Sequence, residues 1–173
     1  MTAIFPESLS RRLSIAVLLL APLAVMPGCK LFHRERMQST VNTRDPHITG
    51  QLLDGFYGVE AGAWRWTGKQ FSVKLKTPAN AAQNGATLRV VLTVPPQVIE
   101  RSGAITLSGR VGGTSLAPET YSTPGPYTYQ RPIPAAELSK SDVTVAFSLD
   151  KSFVPGGPDL RELGIVVTTI ALQ

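Results

Sequence analysis

The chain has 173 residues, a net charge of +5, one cysteine and two histidines. This length suits a single domain, because domains cluster at about 100–150 residues, and it excludes a multidomain machine. A lone cysteine excludes an internal disulfide and any CxxC or zinc-finger site. Hydrophobic residues make up 43% of the chain, which is enough for a core and excludes wholesale disorder.

The N-terminal residues have the composition of an export signal. Arg11 and Arg12 form a positively charged start, and residues 13–26 then form a 14-residue stretch that is apolar at all but two positions. A membrane-spanning helix needs about 20 apolar residues, so this stretch has the length of the hydrophobic region of a signal peptide. We therefore predict a signal peptide over residues 1–28.

The only cysteine follows this stretch, and the residues around it carry a resemblance. Residues 25–29, Val-Met-Pro-Gly-Cys, resemble the lipobox of bacterial lipoproteins, which implies cleavage before Cys29 and acylation of its thiol and its new amine. Lys30 replaces the aspartate by which that family retains proteins in the inner membrane. The resemblance thus favours an anchor in the outer membrane, on its periplasmic or surface side. The alternative is an ordinary signal peptide that ends near a free cysteine.

Residues 29–50 show no sustained hydrophobic period, and we predict that they form the lipidated cysteine and a flexible tether. Both histidines, His33 and His47, lie in this segment, so the domain predicted over residues 51–173 contains no histidine. That removes Ser-His-Asp and Cys-His nucleophilic sites and the common zinc sites. We expect no enzymatic activity, no catalytic residue, no metal and no cofactor. The chain has no dense stripe of Lys and Arg, so nucleic acid is not an expected partner.

From about residue 52 the hydrophobic pattern has a period of two, which predicts β-strands. Apolar and polar residues alternate over 71–76, 88–94, 105–108 and 143–150. Residues 163–172 are apolar on both faces, as in a central strand. Turn residues separate these runs, among them Asp54-Gly55 and Pro95-Pro96, and only residues 134–138 look helical. We predict an all-β fold, a single antiparallel β-sandwich of about eight strands, either jelly-roll or immunoglobulin-like.

Both tryptophans lie within residues 55–68 and are two positions apart. On a strand this spacing places Trp64 and Trp66 on one face and Arg65 on the other. The functional interpretation is a stacking platform for sugar rings, with Tyr57 and Arg65 as hydrogen-bonding partners of the sugar hydroxyls. The commoner alternative is a pair of core aromatics, with Arg65 paired to an acid.

A second segment, residues 159–164, places three charged side chains just before the most apolar strand. Arg161 has two interpretations. It binds hydroxyls or a carboxylate of a ligand through its planar guanidinium, or it forms a structural pair with Asp159 that fixes the loop, with Glu60 or Arg65 as a further partner. Most such pairs are structural.

The two segments together carry a second resemblance. Gly-x-Trp-Arg-Trp-Thr-Gly at 62–68, followed by Asp-x-Arg-Glu-Leu-Gly at 159–164 and an apolar final strand, resembles an uncharacterised class of bacterial lipoprotein and glycan-associated β-sandwich modules. The latter are similar to jelly-roll domains found beside glycosyltransferases. The resemblance implies the fold and proximity to glycans, and it transfers no catalytic residue.

These observations lead to one functional prediction and one alternative. We predict a lipid-anchored cell-envelope β-sandwich that binds a glycan or polysaccharide without altering it. The predicted ligand contacts are Trp64, Trp66, Tyr57, Arg65 and Arg161. The alternative is a structural or assembly lipoprotein that contacts another envelope protein through an exposed edge strand.

Overall fold

A computed structural model describes Thr2 and residues 36–48 and 50–173, and nine strands lie in that part of the chain. The strands are β1 (Thr40–Asn42), β2 (Leu52–Glu60), β3 (Trp64–Lys76), β4 (Ala86–Val94), β5 (Ile105–Val111), β6 (Thr114–Tyr121), β7 (Gly125–Ile133), β8 (Asp142–Leu149) and β9 (Val166–Leu172). The helices are α1 (Ala81–Asn84), α2 (Pro96–Ser102) and two short 3-10 helices, Pro46–Ile48 and Ala135–Leu138. Apart from Thr2, the predicted signal peptide lies outside the described residues, and so does Cys29. Within the described residues, no helix is both long enough and apolar enough to cross a membrane.

The strands form one continuous antiparallel sheet that folds over into a sandwich. Their order is β6-β5-β8-β3-β9-β4-β7, with β1 beside β9 and β2 beside β3. Strand β3 belongs to both layers, because residues 70–76 pair with β8 and residues 65–66 pair with β9. A strand that passes from one layer to the other is a common way to join the two sheets of a sandwich. The predicted antiparallel β-sandwich is confirmed, with nine described strands where about eight were expected.

The core lies between the layers and follows the alternation seen in the sequence. In β4 and β8 every second residue is buried, because successive side chains of a strand point to opposite faces. Phe71 of β3 and Phe147 of β8 are cross-strand partners whose rings stack with centroids 4.8 Å apart. Phe56 meets Phe71 edge-to-face at 5.4 Å, and Tyr129 meets Phe147 at 6.4 Å. This row of aromatic rings links β2, β3, β8 and β7 across the sandwich.

The outer strands β6 and β7 meet where the sandwich closes. Tyr129 donates its hydroxyl to the carbonyl oxygen of Ala117 at 2.9 Å, and Arg131 Nε donates to the same oxygen at 2.7 Å. Arg131 also pairs with Glu119 at 2.9 Å and lies 4.3 Å above the Tyr129 ring. Burial raises the pKa of Tyr129, which keeps its hydroxyl protonated as a donor. Side chains of β7 therefore occupy backbone acceptors that an incoming strand would use at the edge of β6.

The structure corrects two of the turn predictions. Pro95 precedes helix α2 and Pro96 is its first residue. Proline is well tolerated at the first helical position, because the backbone N–H that it lacks would have no partner within the helix there. Asp54-Gly55 lies inside β2, where the register against β3 shifts on both sides of Asp54. Gly55 adopts a φ of +70°, so the Asp-Gly pair forms a bulge within a strand.

The folded domain begins before residue 51. Strand β1 pairs with β9, and Val41 and Ile48 are buried in the core. Thr43 is also buried and donates its hydroxyl to the carbonyl oxygen of Val167 at 2.6 Å. The tether predicted over residues 29–50 is therefore too long. Val41 and Ile48 are too far apart to produce a hydrophobic period in the sequence, but their burial attaches this segment to the domain. His47 consequently belongs to the domain, at an exposed position.

Candidate functional site

The two tryptophans lie at the start of β3 on the outer face of the sheet. Trp66 pairs with Val166 of β9, and Val166 pairs with Thr93 of β4. Because residues paired across strands share a face, one surface runs from β3 over β9 to β4. The side chain of Trp64 is 39% exposed, and that of Trp66 is half-buried. The pair is thus accessible at the surface, and only Trp66 packs partly against the core.

An open cleft of about 490 Å³ lies over this surface, and we call it the tryptophan cleft. Strands β3, β9 and β4 form its floor, while the β2–β3 turn and the start of α2 form its walls. Its lining residues are Glu60, Ala63, Trp64, Trp66, Thr93, Pro95, Gln97, Val166 and Thr168. A mainly apolar concavity with a few polar groups is the usual composition of a small-molecule site.

A β-bulge in β9 places one of these polar groups. Val91 of β4 pairs with Thr169, whereas Leu92 pairs with Val167, so Thr168 is an extra residue between them. Its hydroxyl donates to the carbonyl oxygen of Val91 at 3.3 Å. Bulges redirect side chains and are frequent beside binding sites. Here the bulge adds a second hydroxyl to a floor that also contains Trp66, Val166 and Thr93.

Packing behind the cleft fixes the orientation of Trp66. Its ring meets that of Phe153 edge-to-face, with centroids 6.1 Å apart. Phe153 is held in turn by two backbone hydrogen bonds with Leu163, of 3.0 and 2.8 Å. A platform fixed before the ligand arrives loses less conformational entropy on binding. Trp66 is therefore an oriented surface, whereas Trp64 is the more exposed of the two indoles.

Arg65 and Tyr57 lie away from the tryptophan cleft. Arg65 Nε donates to the carbonyl oxygen of Thr43, and its Nη1 donates to that of Tyr57 at 3.0 Å. Tyr57 donates its hydroxyl to the carbonyl oxygen of Glu162 at 3.0 Å. Neither residue is among those that line the cleft. The guanidinium of Arg65 binds backbone carbonyl oxygens, whereas the alternative interpretation expected an acidic side chain as its partner.

Arg161 also lies outside the cleft, in the structural pair that was the alternative interpretation. Its Nε and Nη2 bind the two carboxylate oxygens of Asp159 at 2.9 and 2.8 Å, and its Nη1 binds Glu60 Oε1 at 2.7 Å. The guanidinium lies 5.2 Å from the Tyr57 ring. The hydrogen bonds from Arg161 lower the pKa of Asp159 to about 2, so the pair is ionised at physiological pH. Of the five predicted contacts, only Trp64 and Trp66 line the cleft.

Glu60 is the cleft residue that the sequence introduced only as a partner of Arg161. It ends β2 and pairs with Trp64 across the hairpin, so it shares the face of the indoles. Thr93, Gln97 and Thr168 had no such signal, because the tertiary fold brings them to the cleft from β4, α2 and β9. Among the described residues, no group of three His, Cys, Asp or Glu side chains is arranged to hold a metal ion.

The two sequence segments that carried the resemblance are in contact. The amide of Gly164 donates to the carbonyl oxygen of Thr67 at 2.7 Å, and the amide of Ile165 donates to Thr67 Oγ1 at 3.2 Å. A Cβ atom on Gly164 would lie 2.7 Å from the carbonyl oxygen of Gly68. The backbone at Gly164 and Ile165 therefore lies beside Thr67 and continues the pairing of β9 with the strand that carries both tryptophans.

Comparison with known proteins adds little to this geometry. No family model and no curated protein matches the sequence. A solved chain described as "CBM4 structure and function" matches with a TM-score of 0.33 and 13% identity, over 78% of this chain and 85% of that chain. A likeness at this level assigns neither a fold family nor a ligand to the present chain.

Proposed function

We propose that this β-sandwich binds a carbohydrate in the tryptophan cleft and does not alter it chemically. One observation carries the proposal: Trp64 and Trp66 stand two residues apart on an outer sheet face and line one open cleft with polar side chains around them. The ring faces of sugars present C–H groups that pack well on an indole. The surrounding hydroxyl, amide and carboxylate groups can hydrogen-bond to sugar hydroxyls.

The dimensions of the platform suit a chain of sugars. Residues two apart on a strand are separated by about 6.6 Å, so the indoles lie close together along one line. Trp66 is oriented by Phe153, and Trp64 stands at the exposed end. An extended ligand could therefore contact both rings in succession, which supports a glycan more strongly than a single sugar.

The charge content of the cleft supports binding without hydrolysis. Most glycosidases use two carboxyl groups that flank the bond they cleave. Among the described residues that line the cleft, Glu60 is the only one with a carboxylate, and Arg161 already binds one of its oxygens. A second carboxylate would be needed for that chemistry, and the lining residues from β4 and the start of α2 are Thr93, Pro95 and Gln97.

The site is tested by replacing the more exposed tryptophan. We expect Trp64→Ala to weaken binding of a neutral oligosaccharide by about 30-fold, the effect of losing an aromatic hot spot of about 2 kcal/mol. Isothermal titration of the full chain with cello-, laminari-, manno- and chito-hexaose measures this. Leu160→Ala is the matched control, because Leu160 is 80% exposed and is not a cleft residue. Absence of binding to all four sugars, or equal affinity of the Trp64→Ala chain, would refute the proposal.

The proposal includes an anchor at Cys29, which would hold the domain at the outer membrane. It is supported by the apolar stretch of residues 13–26 and the lipobox-like residues 25–29. Stable anchoring requires more than one acyl chain, which acylation of both the thiol and the new amine would supply. We expect mass spectrometry of the membrane-extracted protein to show an N-terminal acylated Cys29 peptide, and Cys29→Ser to remain unprocessed. A mature peptide with a free thiol would contradict this part of the proposal.

The assembly role through an edge strand has less support at β6, one of the edge strands of the sheet. Strand addition needs free backbone donors and acceptors at a sheet edge. At the edge of β6, Tyr129 and Arg131 already bind the carbonyl oxygen of Ala117, and Arg131 also binds that of Pro118 at 3.2 Å. An envelope protein that contacts the cleft itself would compete with the sugar in the titration above.

A further inference from the structure

The tryptophan cleft carries one charge, and it is negative. Of the described residues that line the cleft, Glu60 alone is ionisable. The remaining polar groups, on Thr93, Gln97 and Thr168, are neutral. The chain as a whole has a net charge of +5, so the charge in the cleft is opposite in sign to the net charge of the chain.

The contact with Arg161 leaves the Glu60 carboxylate negative. Arg161 lies between two carboxylates, with two hydrogen bonds to Asp159 and one to Glu60 Oε1. One guanidinium therefore balances only one of the two negative charges, and the cluster keeps a net charge of −1. Asp159 is not a cleft residue. The uncompensated charge consequently faces the ligand through Glu60.

The same hydrogen bond fixes the position of the carboxylate. Glu60 ends a strand, and its Oε1 is bonded to an arginine held by bidentate contacts with Asp159 and by the ring of Tyr57. One carboxylate oxygen is thereby used, and the second, Oε2, can accept hydrogen bonds from sugar hydroxyls. Bonds to an ionised acceptor are stronger than those between neutral groups. Arg161 is on this account a positioning residue for Glu60.

We infer that the cleft selects neutral glycans over uronic-acid glycans, and that Glu60 is the specificity-determining residue. This inference rests on the proposed function. A neutral sugar donates hydroxyl hydrogen bonds to Glu60, whereas a carboxylate on the sugar meets a like charge. The cation beside Glu60, Arg161, is already bound to Glu60 and to both carboxylate oxygens of Asp159. Juxtaposed like charges at an interface suppress the wrong partner.

The experiment compares one glycan in two charge states. The probes are the hexasaccharide of the panel that binds best and its C6-oxidised form, in which the primary alcohols are carboxylates. We expect the wild-type chain to bind the neutral form at least about tenfold more tightly at low salt, and high salt to reduce the difference. In Glu60→Gln the discrimination should fall below about threefold, because the amide removes the like charge and keeps the shape.

A matched variant separates the charge in the cleft from the charge of the protein. Glu100→Gln removes one exposed carboxylate that is not among the cleft residues, and it should keep the tenfold preference. Equal affinity of the wild-type chain for both forms, or unchanged discrimination in Glu60→Gln, would overturn the inference while the proposed function stands. If neither form binds, the proposed function itself fails.

Discussion

Phe71→Ala is expected to lower the free energy of unfolding by about 3–5 kcal/mol, which is the range for removing a buried aromatic ring. Phe71 is 2% exposed, stacks on Phe147 at 4.8 Å and meets Phe56 edge-to-face at 5.4 Å. Its loss would leave a cavity where β2, β3 and β8 meet, and the surrounding strands can collapse into it only partly. Urea denaturation followed by circular dichroism measures the change.

The control for this substitution is an exposed apolar residue of the neighbouring strand. Leu53 of β2 is 47% exposed, so Leu53→Ala should change the free energy of unfolding by no more than about 0.5 kcal/mol. If Phe71→Ala lowers the free energy of unfolding by less than about 1 kcal/mol, the row of aromatic rings is not the centre of the core.

Gly55→Ala is expected to destabilise the domain by about 2–4 kcal/mol, from a strained backbone and an overfilled contact together. A Cβ atom at this position would lie 1.8 Å from the backbone carbonyl oxygen of Gln70, and the residue has a φ of +70°. A backbone oxygen cannot move aside as the end of a flexible side chain can. The bulge in β2 would have to open, which would disturb the register that brings Glu60 opposite Trp64.

Gly58 provides a matched control on the same strand. A Cβ atom at Gly58 would have no other atom within 4 Å, and the backbone there does not have a positive φ. Gly58→Ala should therefore leave the free energy of unfolding within about 0.5 kcal/mol of the wild-type value. Thermal unfolding of the two variants side by side tests the bulge. Equal melting temperatures would show that β2 does not approach β3 as described.

The inner strands were well predicted from the sequence, because their side chains alternate between the core and the outer face of the sheet. Strands β4, β5 and β8 alternate in burial as their apolar residues alternate in the chain. The bulge at Gly55 was unpredictable from sequence, because Asp-Gly pairs are common in turns as well as in bulges. Strand β1 was missed because its pairing with β9 depends on a partner about 130 residues away and not on any local pattern.

The site was predictable only in part, for a related reason. The two-residue spacing of Trp64 and Trp66 fixes a shared face, but their exposure depends on which strands flank β3. The contact between Arg161 and Glu60 joins residues 101 positions apart. Whether Arg161 binds Glu60 or a ligand is therefore decided by the tertiary fold and cannot be read from the local sequence. Arg65 shows the same limit, because its carbonyl partners come from β2 and from Thr43 beyond β1.

The most direct measurement of the central claim uses the fact that the chain has two tryptophans. A proton–nitrogen correlation spectrum of the labelled protein shows one indole N–H resonance for each, and Trp64→Phe assigns them. Titration with the best-binding neutral hexasaccharide should shift both indole resonances along one saturating curve, with the same dissociation constant as calorimetry. Binding detected by calorimetry while both indole resonances stay in place would contradict a ligand site in the tryptophan cleft.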